Sequence, residues 1–171
     1  SKSYSMIQLM TERFFGYPGR KILIMRKTLP SLRVTTYRDM TEYMQSLDLY
    51  KYIKIQKLTL DWTYGNSLIH FGSLDDPEKV KSSQWNDIWI EEATEFTHRD
   101  FIILKTRLSS PIIGRIPNQL FLSFNPEDEN CWIKEKVINT EPDCLEIASS
   151  YKDNPFLSEE YLNSYGGMPP L

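Results

Sequence analysis

Two carboxylates, Glu91 and Glu92, stand side by side at the end of a short apolar stretch, "DIWIEE". Adjacent acids at a strand end suit a divided task, one holding a divalent cation while the other orients and activates a water molecule. Three further groups fit the same chemistry. Ser1-Lys2-Ser3 runs straight into a helical segment, where a lysine, a hydroxyl and helix-terminal N–H groups together receive phosphate oxygens. Ser123-Phe124-Asn125 closes the apolar run "LFLSFNP" with a hydroxyl and an amide. Arg26 follows the apolar run "KILIM". Ligands of an α/β sheet bind where parallel strands end; Arg26, Glu91-Glu92 and Ser123-Phe124-Asn125 fall at such ends, and Ser1-Lys2-Ser3 would follow a strand upstream of these residues.

The chemistry that unites them is hydrolysis of a nucleoside triphosphate. Lys2 would neutralise the β- and γ-phosphates, and Ser3 and Glu91 would stand on the magnesium side. Glu92 would face the attacking water, and Ser123 and Asn125 the γ-phosphate. Tyr4, next along the first helix, joins the nucleotide-contacting set. Glutamate at 91 is a departure, because aspartate is commoner there. Its extra methylene moves the cation contact outward by about a bond length. Charge builds on the transferred phosphoryl group, so an arginine is also required. Arg26, Arg33, Arg99, Arg107 and Arg115 are candidates, and the sequence does not choose among them. Arg26, at a strand end, and Arg107, late on the helix after the acids, are carried forward.

Other chemistries find less support. His70 and His98 have no serine, cysteine or carboxylate constellation to complete a triad. Cys131 and Cys144 are not in a metal spacing, and a pair of idle thiols suits a reducing compartment.

The elements that must position these groups are legible. Residues 3–15 carry apolar side chains at helical spacing, and Gly16, Pro18 and Gly19 end the helix. "KILIM" reads as a buried parallel strand. Pro30 opens a helix over "SLRVTTYRDMTEYMQSL". "YIKIQKLTLDWTYGNSLIHFGS" alternates around Gly65-Asn66 and predicts a hairpin. A short helix follows near Pro77, then the strand "DIWIE". Thr97 caps a helix expected through Leu108. "NQLFLS" reads as another buried strand, "NCWIKEKVI" as a short helix and "CLEIASS" as a final strand. "NPFLSEEYLNSYGG" reads as a helix with Ser158 as N-cap, ending at Gly166-Gly167. Alternating strands and helices, with strands apolar on both faces, predict an α/β domain with a mostly parallel sheet and an antiparallel hairpin insertion. A chain of 171 residues suffices for one domain with a real core. At 40% hydrophobic and 25% charged it is not disordered over most of its length. A net charge of −3 means that any nucleic-acid contact must come from a local patch, for which Arg33, Arg38, Lys51, Lys54 and Lys57 are candidates. No apolar run is long enough to span a bilayer.

"ILIMRKTLPSLRVTTY", "GSLDDPEKVKSSQWNDIWIEEATEFT", "LFLSFNPEDENCWIKEKVI" and "SSYKDNPFLSEEYL" together resemble the large terminase subunit of tailed bacteriophages and prophages. The resemblance is to its N-terminal ATPase domain and covers nearly all of residues 1–171. It implies a P-loop NTPase of the additional-strand, catalytic-glutamate (RecA-like) class. Residues 150–171 would lead toward a C-terminal nuclease domain. The implied function is ATP hydrolysis that drives double-stranded DNA into procapsids, with ATP and Mg²⁺ as cofactors. The implied partners are DNA, the portal protein, the small terminase subunit and copies of itself in a ring, a pentamer, in the host cytoplasm. Lys2 and Ser3 would complete the phosphate loop, Glu91 would be the magnesium-side acid and Glu92 the catalytic glutamate. Ser123 to Asn125 resemble the coupling motif. The glycine-rich first half of the phosphate loop is not in these residues, and Ser1 stands where glycine is usual. Some relatives supply an arginine in trans from the segment before the acids, where this sequence has Lys79 and Lys81. The alternatives are another P-loop translocase or helicase, or a degenerate P-loop module without turnover.

Overall fold

A computed structural model describes residues 2–75, 77–126 and 131–149. The chain divides into two units, residues 3–125 and residues 126–171 together with 1–2.

The first unit is built on a sheet of order β2-β3-β4-β1-β5-β6 among the described residues. Its strands are β1 (Lys21–Arg26), β2 (Lys54–Gln56), β3 (Asp61–Tyr64), β4 (Ser67–Ser73), β5 (Asp87–Glu91) and β6 (Gln119–Ser123). β4, β1, β5 and β6 run parallel, while β2 and β3 are antiparallel additions joined to β4 through the Gly65-Asn66 turn. Gly65 has φ +55°, which glycine adopts without a steric penalty.

Helices cover both faces. α1 (Lys2–Gly16) and a continuous helical run pack on one face. That run comprises α2 (Leu29–Leu32), a π-helical turn (Arg33–Tyr37) and α3 (Arg38–Ser46). Pro30 stands in the first turn of α2, as the sequence predicts, and Thr28 caps the helix. Ile7, Met10, Phe14, Leu32, Met40 and Met44 from these helices meet Ile22, Ile24, Ile69, Phe71, Trp62 and Trp89 from the sheet in one buried cluster. On the other face, α4 (Pro77–Ser82) brings Val80 so close to Gly72 that a β-carbon there would lie 3.0 Å from it. α5 (His98–Lys105) buries Phe101 and Leu104. It starts from a Thr97–Asp100 capping box, in which each residue's side chain accepts from the other's backbone N–H.

Three expectations need correction. α5 stops at Lys105, short of Leu108, because the Arg107 and Leu108 N–H groups turn to the carbonyls of Leu104 and Lys105. The Arg107 carbonyl is then taken by the Trp85 N–H at 2.8 Å. β6 is half-buried along its whole length where a buried strand was expected, because it lies at the end of the described sheet. In the second unit, 144–149 is irregular and exposed, with Leu145 82% and Ile147 79% accessible. Alternating apolar residues make a strand only where a neighbour supplies ladder hydrogen bonds, and none does so there among the described residues. The same unit contains the expected short helix, whose last turn is π-helical over Lys134–Ile138 and which buries Ile133 and Val137. The expected helix at Ser158 lies outside the described residues.

A buried ion cluster fixes the amino end of the parallel strands. Asp87, fully buried, accepts from Arg13 of α1 and from Arg20, which is also fully buried. Arg20 Nη2 reaches Asp87 Oδ1 at 3.1 Å, and the same guanidinium reaches the carbonyls of Ile113, Ile116 and Pro117. Arg13 also reaches Gln119. Every nitrogen of these two guanidinium groups except Arg13 Nε is thereby engaged.

Candidate active site

The sheet register gathers the predicted polar groups into one row at the carboxyl ends of the strands. Arg26 is the partner of Ser73, and Glu91 the partner of Ser123. Met25 pairs with Ile90, so Arg26 and Glu91 are the next positions on adjacent strands. Ser73 was not anticipated from sequence. Its hydroxyl is buried without a hydrogen-bond partner among the described residues, and its signal is only that it ends an apolar strand, as Ser123 does.

α1 brings its first turn to this same edge. Only Tyr17–Arg20 separate α1 from β1, so the helix runs antiparallel to the strands. Arg13, in its last turn, bonds Asp87 at the opposite end. Lys2 is the first residue of the helix, and Ser3, half-buried, the second. Tyr4 stands edge-on to Tyr43 with ring centroids 5.5 Å apart. Ser1 lies outside the described residues.

Glu91 is buried, 6% accessible. Its Oε2 accepts the Thr36 hydroxyl and lies 3.7 Å from Arg26 Nη1. Oε1 makes no such contact among the described residues. Arg26 Nη1 also donates to Thr35 Oγ1 at 3.3 Å, and Nη2 lies 3.6 Å from Glu95 Oε1. Thr36 was missed in the sequence, where its role depends on the phase of a helix relative to a distant strand. Glu92, half-buried, has φ 50° and ψ 54°. That left-handed backbone is costly for a non-glycine residue, and such strain gathers at functional positions. Ser123 Oγ accepts from the Trp89 indole N–H at 2.9 Å. Asn125 follows two residues on and is exposed.

Arg107 is not brought to this edge. Its carbonyl bonds Trp85, just before β5 begins, at the end where Asp87 lies. Among the five exposed basic residues proposed for DNA contact, Arg38 pairs with Asp39 and Glu42, and Lys51 pairs with Asp48. Lys79 reaches the buried Asp61, whose other oxygen lies 2.7 Å from His70 Nδ1. His70 is stacked on Trp85.

The donors at the edge suit a hard cation with oxygen ligands: a carboxylate with one oxygen uncommitted, and the Ser123 hydroxyl on the neighbouring strand. Carboxylates, hydroxyls and a helix first turn are the groups that polyphosphate chemistry uses.

Comparison with known families matches "Phage terminase large subunit" over residues 1–169. The chain belongs to that family. Comparison with curated proteins gives no match. Among solved structures, the large terminase of a thermophilic bacteriophage superposes with a TM-score of 0.75 at 14% identity, covering 93% of this chain and 40% of that one. That terminase has also been crystallised with ATP-γ-S and with ADP. The HK97 bacteriophage large terminase gives a TM-score of 0.66 at 10% identity, covering 98% of this chain and 37% of that one. The Thermus phage P74-26 large terminase ATPase domain gives 0.57 at 15% identity, covering 71% and 54%. The chain thus shares the terminase ATPase fold, expected as RecA-like, and spans about two fifths of the thermophilic phage protein.

Proposed function

We propose that this chain is the ATP-hydrolysing part of a terminase large subunit and drives double-stranded viral DNA into procapsids. The observation that carries the reading is the pair Glu91-Glu92 at the carboxyl end of β5, the second in a left-handed conformation and the first in register with Ser123. Lys2 and Ser3 at the first turn of α1 receive the phosphates. Glu91 and Ser3 serve the magnesium side. Magnesium, when bound with the nucleotide, offsets charge on the phosphate oxygens. Glu92 takes a proton from, and orients, the attacking water. Ser123 and Asn125 link the γ-phosphate to the strand that carries them. Arg26, held by Glu91 and Glu95, orders the acids, and Arg107 takes no part from its position at the other end of the sheet.

The same reading assigns double-stranded DNA, the portal, the small terminase subunit and a ring of copies as partners. It assigns the host cytoplasm as location and DNA cleavage to a further C-terminal domain. No helix among the described residues is long and apolar enough to cross a membrane.

The test is ATP hydrolysis by the intact protein against Glu92→Gln. Loss of turnover by several orders of magnitude is expected, and undiminished turnover would reject the assignment. Failure of the intact wild type to package DNA into procapsids would reject the motor reading.

A further inference from the structure

We propose that Thr36 is a positioning residue for Glu91. Its hydroxyl holds Oε2 of the carboxylate so that Oε1 is presented at the strand edge. The inference rests on the reading of Glu91 as the magnesium-side acid.

The helical run over residues 29–46 buries Leu32, Thr36, Met40 and Met44, each four residues after the last. An ordinary α-helix turns about 100° per residue, so every four-residue step overshoots by about 40°. Over three steps the last residue would be far from the face of the first. The π-helical turn at Arg33–Tyr37 is wider and absorbs much of that drift at the step from Leu32 to Thr36. Thr36 is consequently 1% accessible, while Arg33 and Val34 in the same turn are exposed. Tyr37 is also fixed, by Trp62 and Phe71. Thr36 therefore meets Glu91 from a turn braced on both sides.

The contact answers the length of the glutamate. A glutamate has one more rotatable bond than an aspartate, so its carboxylate is less confined by the backbone. Here Thr36 and Arg26 both approach Oε2, and Thr35 orients Arg26 at 3.3 Å. An aspartate at 91 would end one bond short of Thr36. Thr36 and the extra methylene thus act as a matched pair, and neither has the same use without the other.

The test measures metal affinity in the intact protein, with Mn²⁺ as the probe and a slowly hydrolysed ATP analogue present, read by electron paramagnetic resonance. Thr36→Val keeps the shape and removes the donor, and Thr36→Ser keeps the donor. Valine is expected to weaken Mn²⁺ binding by about ten- to a hundredfold, the equivalent of one net hydrogen bond to a charged group, with serine within about twofold of wild type. In a Glu91→Asp background, Thr36→Val is expected to add nothing. Wild-type Mn²⁺ affinity in folded Thr36→Val, or a full additional loss in the Glu91→Asp background, would overturn the proposal. If the valine variant does not fold, Thr36→Cys, a weak donor of similar size, carries the comparison with the same outcomes. Glu91→Ala separates the two readings. If it leaves Mn²⁺ affinity intact, the assignment of Glu91 fails. If it abolishes binding while Thr36→Val does not weaken it, only the role of Thr36 fails.

Discussion

The Trp89 indole donates to Ser123 Oγ at 2.9 Å, across from β5 to β6. Trp89 is paired with Phe121, so the bond is a diagonal one on a single face of the sheet. It ties the proposed coupling strand to the strand that carries both acids. Ser123→Ala would leave the indole N–H buried without a partner. The expected cost is about 1–3 kcal/mol of stability, measured by urea unfolding. Trp89→Phe combined with Ser123→Ala should recover part of the hydrogen-bond penalty in a double-mutant cycle.

Glu92 offers a separation of stability from function. Its φ of 50° is the left-handed region, unfavourable by about 1–2 kcal/mol for a residue with a β-carbon. Glu92→Gly should raise the thermal midpoint, by a net gain of about 0.5–1 kcal/mol after the glycine's unfolded-state entropy, and should abolish ATP turnover. A glycine variant less stable than wild type would show that the side chain contributes more than the backbone costs.

Asp87 joins two arginines that no other carboxylate reaches among the described residues. Asp87→Asn leaves two buried guanidinium groups without a counter-charge. The expected destabilisation is about 3–5 kcal/mol, read by denaturant unfolding. The effect should fall on folding as a whole, since Arg13, Arg20 and Gln119 belong to three different segments.

Asp61 sets an acid limit on the hairpin side of the sheet. Burial pushes its carboxyl up, but hydrogen bonds from Lys79, Thr59 and His70 and the charge of His70 outweigh that, and the group is held below the ordinary aspartate range. A carboxyl lowered in the folded state contributes stability that is present above its unfolded pKa, about 3.9, and lost as pH falls through the lower folded value. Wild type should therefore lose stability below about pH 4. Lys79→Met should flatten that limb in thermal melts carried from neutral pH into the acid range, and an unchanged slope would count against the Lys79 contact.

Local signals made much of this architecture readable. Thr97 and Asp100 are three residues apart, Gly65 and Asn66 adjacent, and "KILIM" and "DIWIE" contiguous, so each declares its element without reference to the rest of the chain. The row Arg26, Glu91, Ser123 was legible because polar groups at strand ends are separated from apolar runs by one peptide bond. Arg107 lies past the end of α5, and its place in the chain does not say which end of the sheet it reaches. Arg20 and Asp87 carry no local signal of their pairing, since nothing in either's neighbourhood shows a partner 67 residues away. Thr36 had a signal, the four-residue spacing from Leu32 to Met44, but its meaning depends on a π-helical turn that periodicity alone does not reveal. "CLEIASS" had the alternation of a strand without the neighbour that would make it one.

The two ends of the sheet differ in charge. At the amino end two guanidinium groups enclose one carboxylate, and the surplus is positive. At the carboxyl end Arg26 faces Glu91 and Glu95, with Lys27 and Glu92 adjacent, and the two signs are close to balance. The amino end is thus closed by its own counter-charges, while the carboxyl end keeps one carboxylate oxygen, Glu91 Oε1, without a partner among the described residues.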